Sequence, residues 1–444
     1  MQQVNVGLIG AGTVGGGVFR AIQRNGDLMA SRLGVRVKIA QVAVRNRRKA
    51  RAVHIPSSLL TTDWEGVIQN PQINLVAELM GGTTTARSLI AKTLAAGKPV
   101  VTANKALLSA HGEELFAMAE LHRTNLYYEA SVAGGIPIIK VLREGLIGNR
   151  ITRVYGIVNG TCNYILTRMK LEGADFADVL TDAQRLGYAE AEPSLDIDGY
   201  DALHKVGILA SLAHGFWVNP KHIHVEGIRS ISRLDIQFAG QLGYTIKLLG
   251  IVKKLESSPI ARRVRSNSVP VQVSVYPALI PNSHVLASVN HVFNAIYVRG
   301  DVVGDTLYYG RGAGPDATAS AVLSDLADAA LDLKCASQSR IPPFVPHECE
   351  GAVMPIDEVV SRYYLRLSII DKPGTLAKIA AILGQTKIGI SSVIQPEGHE
   401  GESVPLILMI HDAPNAAMTE ALTRIRGLAV VKAPPRMIRV ENFE

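Results

Sequence analysis

Aromatic side chains are scarce in this 444-residue chain, at 5%, so any core must be aliphatic. Cysteine is scarcer: Cys162, Cys335 and Cys349 are odd in number, widely spaced and without a C-x-x-C pair. No disulfide or zinc framework is implied, and a reducing, cytoplasmic setting is the default. No uninterrupted run of about 18 apolar residues exists, so no membrane-spanning helix is expected. The longest candidate, 206–218, is short and broken by His214. The chain opens on an apolar strand with no basic segment before it, a pattern expected in the absence of a signal peptide. Low-complexity segments and repeats are also missing. What is there is globular: 47% hydrophobic against 19% charged residues, which excludes disorder over most of the chain. Forty glycines without a G-X-Y period exclude collagen. The net charge of +7 is not confined to one tail, which fits small anionic ligands and weakens a nucleic-acid reading.

The length predicts about three domains. Residues 1–135 alternate apolar runs (4–9, 35–44, 73–79, 99–102, 126–129) with helical patterns (14–30, 85–96, 107–122). Near-continuous apolar strands between helices predict an α/β fold with a doubly wound parallel sheet. Residues 136–335 change character. Helices are expected at 137–147, 161–171, 175–186 and 199–215, then strands such as 269–275 and 285–289, giving an α+β domain with a mixed sheet and helices on one face. The helix expected at 316–333 is placed back against the first domain. A stretch at 336–360 holds Pro342, Pro343, Pro346 and Pro355 and reads as a linker. Residues 361–444 then read strand 362–370, helix 375–385, strands 388–395 and 404–410, helix 413–425 and strand 428–432. That order is βαββαβ, the ferredoxin-like unit.

The first strand runs into Gly10-Ala11-Gly12-Thr13-Val14-Gly15. In G-x-G-x-x-G the first glycine makes the tight turn, the second admits a pyrophosphate and the third lets the helix pack on the strand. The helix N-terminus then offers free N–H groups to phosphates. Between a strand and a helix the motif points to a dinucleotide. The second strand ends in Val44-Arg45-Asn46-Arg47-Arg48-Lys49, with no carboxylate for a ribose hydroxyl. Arg45 suits a 2′-phosphate, favouring NADP over NAD; the plain alternative is a solvated basic turn. Thr83, after Gly81-Gly82, either reaches the cofactor or caps a helix. Lys105, after the fourth strand, stands at the same sheet edge, near any bound nicotinamide, or is simply a surface lysine.

Residues 187–205 read G-Y-A-E-A-E-P-S-L-D-I-D-G-Y-D-A-L-H-K. Asp201 and Lys205 fall at i and i+4 of a helix, on one face. Composition alone favours an acidic helix start with an ion pair. The functional alternative is a substrate with a cationic amine held by carboxylates and a carbonyl that exchanges a proton with the lysine.

Together these residues resemble homoserine dehydrogenase of the kind that carries a C-terminal ACT domain. The resemblance spans the chain, through G-L-I-G-A-G-T-V-G-G-G-V (7–18), E-L-M-G-G (78–82), V-T-A-N-K (101–105), Y-E-A-S-V-A-G-G-I-P (128–137), V-N-G-T-C-N-Y-I-L (158–166), the 187–205 segment and G-R-G-A-G-P-D-A-T-A-S-A-V (310–322). One departure is Glu192, where Asp, Asn or Ser is usual before the proline. The resemblance implies a Rossmann domain and reversible interconversion of L-homoserine and L-aspartate 4-semialdehyde with NAD(P). Lys205 then matches the general acid/base and Lys105 the second active-site lysine. Gly187, Glu190, Asp196 and Asp201 match the substrate-binding segment. The loop Glu129, Val132, Gly134 and Ile136 matches a Na⁺ site built from backbone oxygens, or is only a glycine-rich turn. Gly304 matches a loop that returns to the cofactor. I-I-D-K-P-G-T-L-A-K-I-A (369–380) resembles an ACT domain, with Asp371 and Gly374 in the effector loop. Feedback inhibition by L-threonine is implied, against a purely dimerising unit. A homodimer or homotetramer is expected, with neither nucleic acid nor membrane as partner.

Three other readings are weighed. An aspartate-semialdehyde dehydrogenase needs a nucleophilic cysteine; Cys162, in an apolar helical stretch with no histidine near it in sequence, reads as a core residue. Another NADP-dependent amino-acid dehydrogenase is the second. A non-catalytic NADP-binding sensor is the third, opposed by the intact lysine and carboxylate set. DNA binding would rest only on the short basic runs 45–51 and 262–265.

Overall fold

The computed structural model describes residues 1–254, 270–337, 340–348, 351–396, 399 and 401–443. Residues 262–265, Val269 and Cys349, singled out above, lie outside them. The first sheet has six parallel strands: β1 (Gln2–Ile9), β2 (Val35–Ala43), β3 (Leu60–Thr61), β4 (Leu75–Glu78), β5 (Val100–Thr102) and β6 (Leu126–Tyr127). Their order is β3-β2-β1-β4-β5-β6. The reversal between β1 and β4 opens a crevice at the C-terminal strand ends. Both faces are covered, as parallel strands require. Leu75 and Ala77 face helices Thr13–Leu33 and Pro315–Lys334; Val76 faces helices Thr84–Ala95 and Lys105–Leu121. Gly17 explains how closely the first pair approaches: a Cβ there would stand 2.6 Å from the Pro315 carbonyl oxygen.

The second sheet contains β7 (Ile151–Ile157), β8 (His224–Val225), β9 (Tyr244–Lys254), β10 (Val271–Pro281), β11 (Phe293–Gly300), β12 (Gly304–Arg311), β13 (Val360–Ile370), β14 (Ile390–Ile394), β15 (Ser403–Pro414) and β16 (Val431–Val440). Its order is β12-β11-β7-β9-β10-β16-β13-β15-β14, with β8 also beside β10. It is mixed, since β10 takes β8 and β16 in parallel and β9 antiparallel. Helices Gly160–Glu172, Tyr200–His214 and Arg233–Gln241 bury their apolar sides on one face. A separate cluster of Tyr155, Ile251, Tyr276, Tyr297 and Phe443 forms on the other.

Strands β13 to β16, with helices Thr375–Gln385 and Asn415–Arg426, form the βαββαβ unit in ferredoxin-like order. Its sheet is continuous with the central one, because Arg439 and Val440 of β16 pair with Ala278 and Leu279 of β10. The proline-rich stretch before it is a strap rather than a free tether. Tyr128 and Arg143 donate to the carbonyls of Pro343 and Ile341 at 2.6 and 2.8 Å, and Val353 bridges Val271.

Some expected elements differ. The strand expected at 285–289 is a 3-10 turn, Val285–Ser288, capped by the His284 side chain. Leu286 and Ala287 are buried while Val285 is exposed, so the apolar run there did not mean a strand. The helix expected at 137–147 is one α-turn, Ile138–Lys140, continued by a π-turn, Val141–Gly145. The last strand is displaced from 428–432 to Val431–Val440 and contains Pro434 and Pro435. Prolines argue against a central strand. They are tolerated because β10 meets β16 only at Arg439 and Val440, and the pairing with β13 shifts register beside them. Among the described residues no helix is long and apolar enough to cross a membrane.

Candidate active site

The glycine loop bridges β1 and helix Thr13–Leu33. Gly10 has φ +98°, and a Cβ there would lie 2.5 Å from the Leu79 carbonyl oxygen. At Gly15 a Cβ would lie 2.0 Å from the Gly10 carbonyl oxygen, whereas at Gly12 it would meet nothing within 4 Å. Two glycines therefore close the turn and the middle one leaves an open approach. Gly16 is the first amide to bond back, to Gly12 at 2.8 Å, so the preceding helical N–H groups face the crevice. No acidic residue occupies the first turn. The crevice, about 640 Å³, is lined by Gly10 to Thr13, Arg45, Asn46, Arg51, Leu79 and Pro315, among others. Arg51 is spent inside its loop, donating to the carbonyls of Asn46, Lys49 and Arg47. Arg45 is exposed, and no hydrogen bond or ion pair to the described residues holds its guanidinium. These groups fit a dinucleotide phosphate chain, with the exposed Arg45 guanidinium beside it.

At the neighbouring strand ends, Glu78 is fully buried. It accepts from the Met80 and Gly81 amides at 2.8 and 3.2 Å and from the Thr102 hydroxyl at 2.7 Å. Asn104 caps the next helix and donates to the Gly82 carbonyl at 2.7 Å. Lys105 is thus the first residue of a pinned helix. Its Nζ lies 3.3 Å from Asp201 Oδ1, while Lys205 Nζ donates to Asp201 Oδ2 at 2.8 Å and to the Val158 carbonyl at 2.7 Å. Two lysines from different domains meet on one carboxylate. Asn159, buried and capping helix Gly160–Glu172, donates to Asp201 Oδ2 at 2.9 Å and Asp196 Oδ1 at 2.7 Å.

Burial alone would raise the Asp201 carboxyl, but Lys205, then Lys105, and the hydrogen bonds from Lys205 and Asn159 hold it far below the usual carboxylate range. Asp196 is pushed the other way, first by burial and then by the charge of Asp201. Cys162 is fully buried, its thiol raised by burial and then by nearby Asp196, which is the environment of a core cysteine rather than a nucleophile.

The remaining predicted residues sort by distance from this cluster. Thr83 forms no side-chain cap, so its hydroxyl is unused by the helix behind it. Gly187, φ +76°, ends the helix before the acidic segment, and the exposed Glu190 carboxylate has no partner among the described residues. Glu129 turns its carboxylate to the Ile139 and Lys140 amides at 2.9 and 2.7 Å. Burial is the main reason its pKa rises to about 7. Gly304 is not brought to the crevice. It sits at the β11–β12 hairpin tip beside Asn149, at the opposite end of β12 from Arg311. It is Pro315, just beyond that other end, that reaches the crevice. Asp371 and Gly374 lie in the β13–helix turn of the C-terminal unit. Sequence reasoning did not single out Asn159, although it lies inside a quoted motif, nor Glu78, nor Arg229, which donates to Asp198 and to the Ser194 hydroxyl at 2.8 Å.

A dinucleotide crevice beside two lysines that share a carboxylate defines a nicotinamide-dependent oxidoreductase. The model of the homoserine dehydrogenase NAD-binding domain matches residues 10–129, and that of homoserine dehydrogenase matches 137–327. The homoserine dehydrogenases of Pseudomonas aeruginosa and Neisseria gonorrhoeae are 42% and 41% identical, each aligned over 100% of both chains. The crystal structure of a homoserine dehydrogenase from Thiobacillus denitrificans superposes with a TM-score of 0.92 at 42% identity, covering 100% of this chain and 99% of that one. A hyperthermophilic archaeal homoserine dehydrogenase in complex with NADPH gives 0.61 at 26% identity, over 74% of this chain and 98% of its own. The chain belongs to the homoserine dehydrogenase family.

Proposed function

We propose that the enzyme interconverts L-homoserine and L-aspartate 4-semialdehyde, with NADP preferred over NAD, in a cytoplasmic route to threonine and methionine. The observation that carries this is the convergence of Lys105 and Lys205 on Asp201 at the crevice edge. A bound nicotinamide supplies or accepts the hydride. The chain's own residues handle the proton and the substrate. In the reducing direction Lys205 gives a proton to the alkoxide forming at the substrate oxygen, and its charge stabilises that oxygen. Lys105 adds a second positive charge at the same edge. Asp201 fixes both lysines. Glu190, whose carboxylate is free, and Asp196 hold the substrate ammonium, with Gly187 offering backbone contact. Arg45 takes the 2′-phosphate; Gly10, Ala11, Gly12, Thr13, Val14, Gly15, Thr83 and Lys105 serve the rest of the cofactor.

A Na⁺ ion is assigned to the carbonyls of Glu129, Val132, Gly134 and Ile136. Ala133 and Gly134 have φ of +54° and +45°, and the buried Val132 and Gly134 carbonyls accept no hydrogen bond among the described residues. Unsatisfied buried carbonyls suit a hard cation. The C-terminal unit is read as an ACT domain sensing L-threonine. Gly374 opens its first helix at φ +84°, three residues after Asp371, whose carboxylate has no partner among the described residues. A homodimer or homotetramer is the expected assembly.

The test is absorbance at 340 nm with L-homoserine, NADP and NAD in parallel, with and without L-threonine. Homoserine-dependent reduction, faster with NADP at low cofactor concentration, is expected; no turnover by folded protein overturns the reading. An undiminished rate with threonine removes the effector assignment alone.

A further inference from the structure

We propose that the C-terminal βαββαβ unit supplies positioning residues to the active site, acting through the segment 226–235. This rests on the roles given above to Asp196, which holds the substrate, and to Asp201, which fixes both lysines. Two arginines of the unit grip the segment at its ends. Arg439, 2% exposed, donates to Glu226 at 2.8 Å and to Asn415 at 2.6 Å, and stacks its guanidinium 4.6 Å from the Tyr276 ring. Arg366 donates to both Asp235 oxygens at 2.7 and 3.0 Å and to the Ser232 hydroxyl at 3.2 Å. Asp235 is fully buried and also receives the Tyr364 hydroxyl. An unpaired charge would be costly in either place, so both ends are fixed.

Between the grips the segment presses on the acidic stretch. A Cβ at Gly227 would stand 2.2 Å from the Ile197 carbonyl oxygen and 2.4 Å from Asp198 Cα, so the two backbones are in direct contact. The Ile228 amide donates to the Ile197 carbonyl at 2.8 Å. Arg229 holds Asp198 in a two-point pair and reaches the Ser194 hydroxyl. Ser194 to Asp198 carry Asp196, and Gly199 then starts the helix of Asp201 and Lys205. Gly199 is itself wedged, its Cβ position lying 2.9 Å from Val225 and 3.3 Å from the Glu226 carbonyl oxygen. The contacts therefore run unbroken from β13 and β16 to the substrate acids. They bypass the cofactor crevice, whose lining includes no residue of 226–235.

The experiment compares Arg229→Ala, Arg229→Lys, Arg439→Met and Arg366→Met in the full-length enzyme. It reads steady-state constants and amide hydrogen exchange of peptides covering 187–199. Arg229→Ala is expected to raise the KM for homoserine about tenfold with kcat and the NADP KM within about twofold, and lysine to recover most of it. Arg439→Met and Arg366→Met should show the same split at about threefold, with faster exchange at 194–199. Wild-type exchange and homoserine KM in the two C-terminal variants would overturn the proposal, as would equal losses for both substrates. A C-terminal variant that does not fold leaves the decision to the other; if neither folds, Arg229→Ala decides, and a wild-type homoserine KM there overturns it. The exchange needs no turnover, so failure of the homoserine reading and failure of this one remain distinct.

Discussion

Gly10, Gly12 and Gly15, on the proposed cofactor side, shape the crevice by having no side chain, whereas Lys105, Asn159, Asp196, Asp201 and Lys205, on the proposed substrate side, are side chains that meet only after folding. The glycine loop that floors the crevice is a local product of one strand, one turn and one helix. The substrate cluster draws on the first domain's helix Lys105–Leu121, the start of helix Gly160–Glu172 and the helix that opens at Gly199. The first binds a ligand with backbone N–H groups. The second manages charge, with one low-pKa carboxylate between two lysines. One half should therefore be damaged by adding atoms, the other by removing charges.

The largest effect is expected from Lys205→Ala, which removes the proposed proton donor and should lower kcat by about 10³-fold in the 340 nm assay. A loss below about tenfold would move the proton-transfer role elsewhere. Gly15→Val adds atoms where a Cβ already stands 2.0 Å from the Gly10 carbonyl oxygen. It should weaken NADPH about 100-fold by fluorescence titration, with Lys205 untouched. Normal binding would show that the loop has room the structure denies it. Arg45→Ala should raise the NADP KM about tenfold and leave the NAD KM unchanged; equal effects on both cofactors would detach Arg45 from the 2′-phosphate.

The smallest effect concerns acid stability. The helix of Lys205 ends at His214, whose Nε2 is buried without a hydrogen-bond partner among the described residues. Burial first, then Lys254 and His347, lowers its pKa from 6.5 to about 4. Above pH 6.5 it is neutral folded or unfolded, so its stabilising contribution is complete. Between 6.5 and 4 the unfolded chain takes a proton that the fold refuses, and stability is lost as pH falls. By pH 5.5 the loss is about 1 kcal/mol. Urea unfolding of His214→Leu should show a shallower decline over that window; an unchanged decline would clear His214.

The same comparison explains what could be read from the chain. The glycine loop was legible because its residues are contiguous, and the position of Arg45 beside the crevice followed from its place at a strand end. Asp201 and Lys205 were legible as an i, i+4 pair: they do form an ion pair, and that pair meets Lys105. Asn159 was hidden because nothing local tells a helix cap from a bridge between two distant acids. Arg229 had no signal at all, since its partners lie more than 30 positions upstream. In the fold, β16 was misplaced by Pro434 and Pro435, whose cost vanishes only because one side of that strand stretch is unpaired. The strand expected at 285–289 failed because a capped turn buries part of an apolar run, here Leu286 and Ala287, without pairing as a strand.

If binding the cofactor and moving the proton belong to separable halves, the two should fail independently. NADPH titration of Lys205→Ala, monitored by nicotinamide fluorescence, decides this. The expected Kd lies within about twofold of wild type in the same protein that has lost turnover. A Kd weakened by tenfold or more would contradict it, because the lysine would then be holding the cofactor rather than serving the substrate.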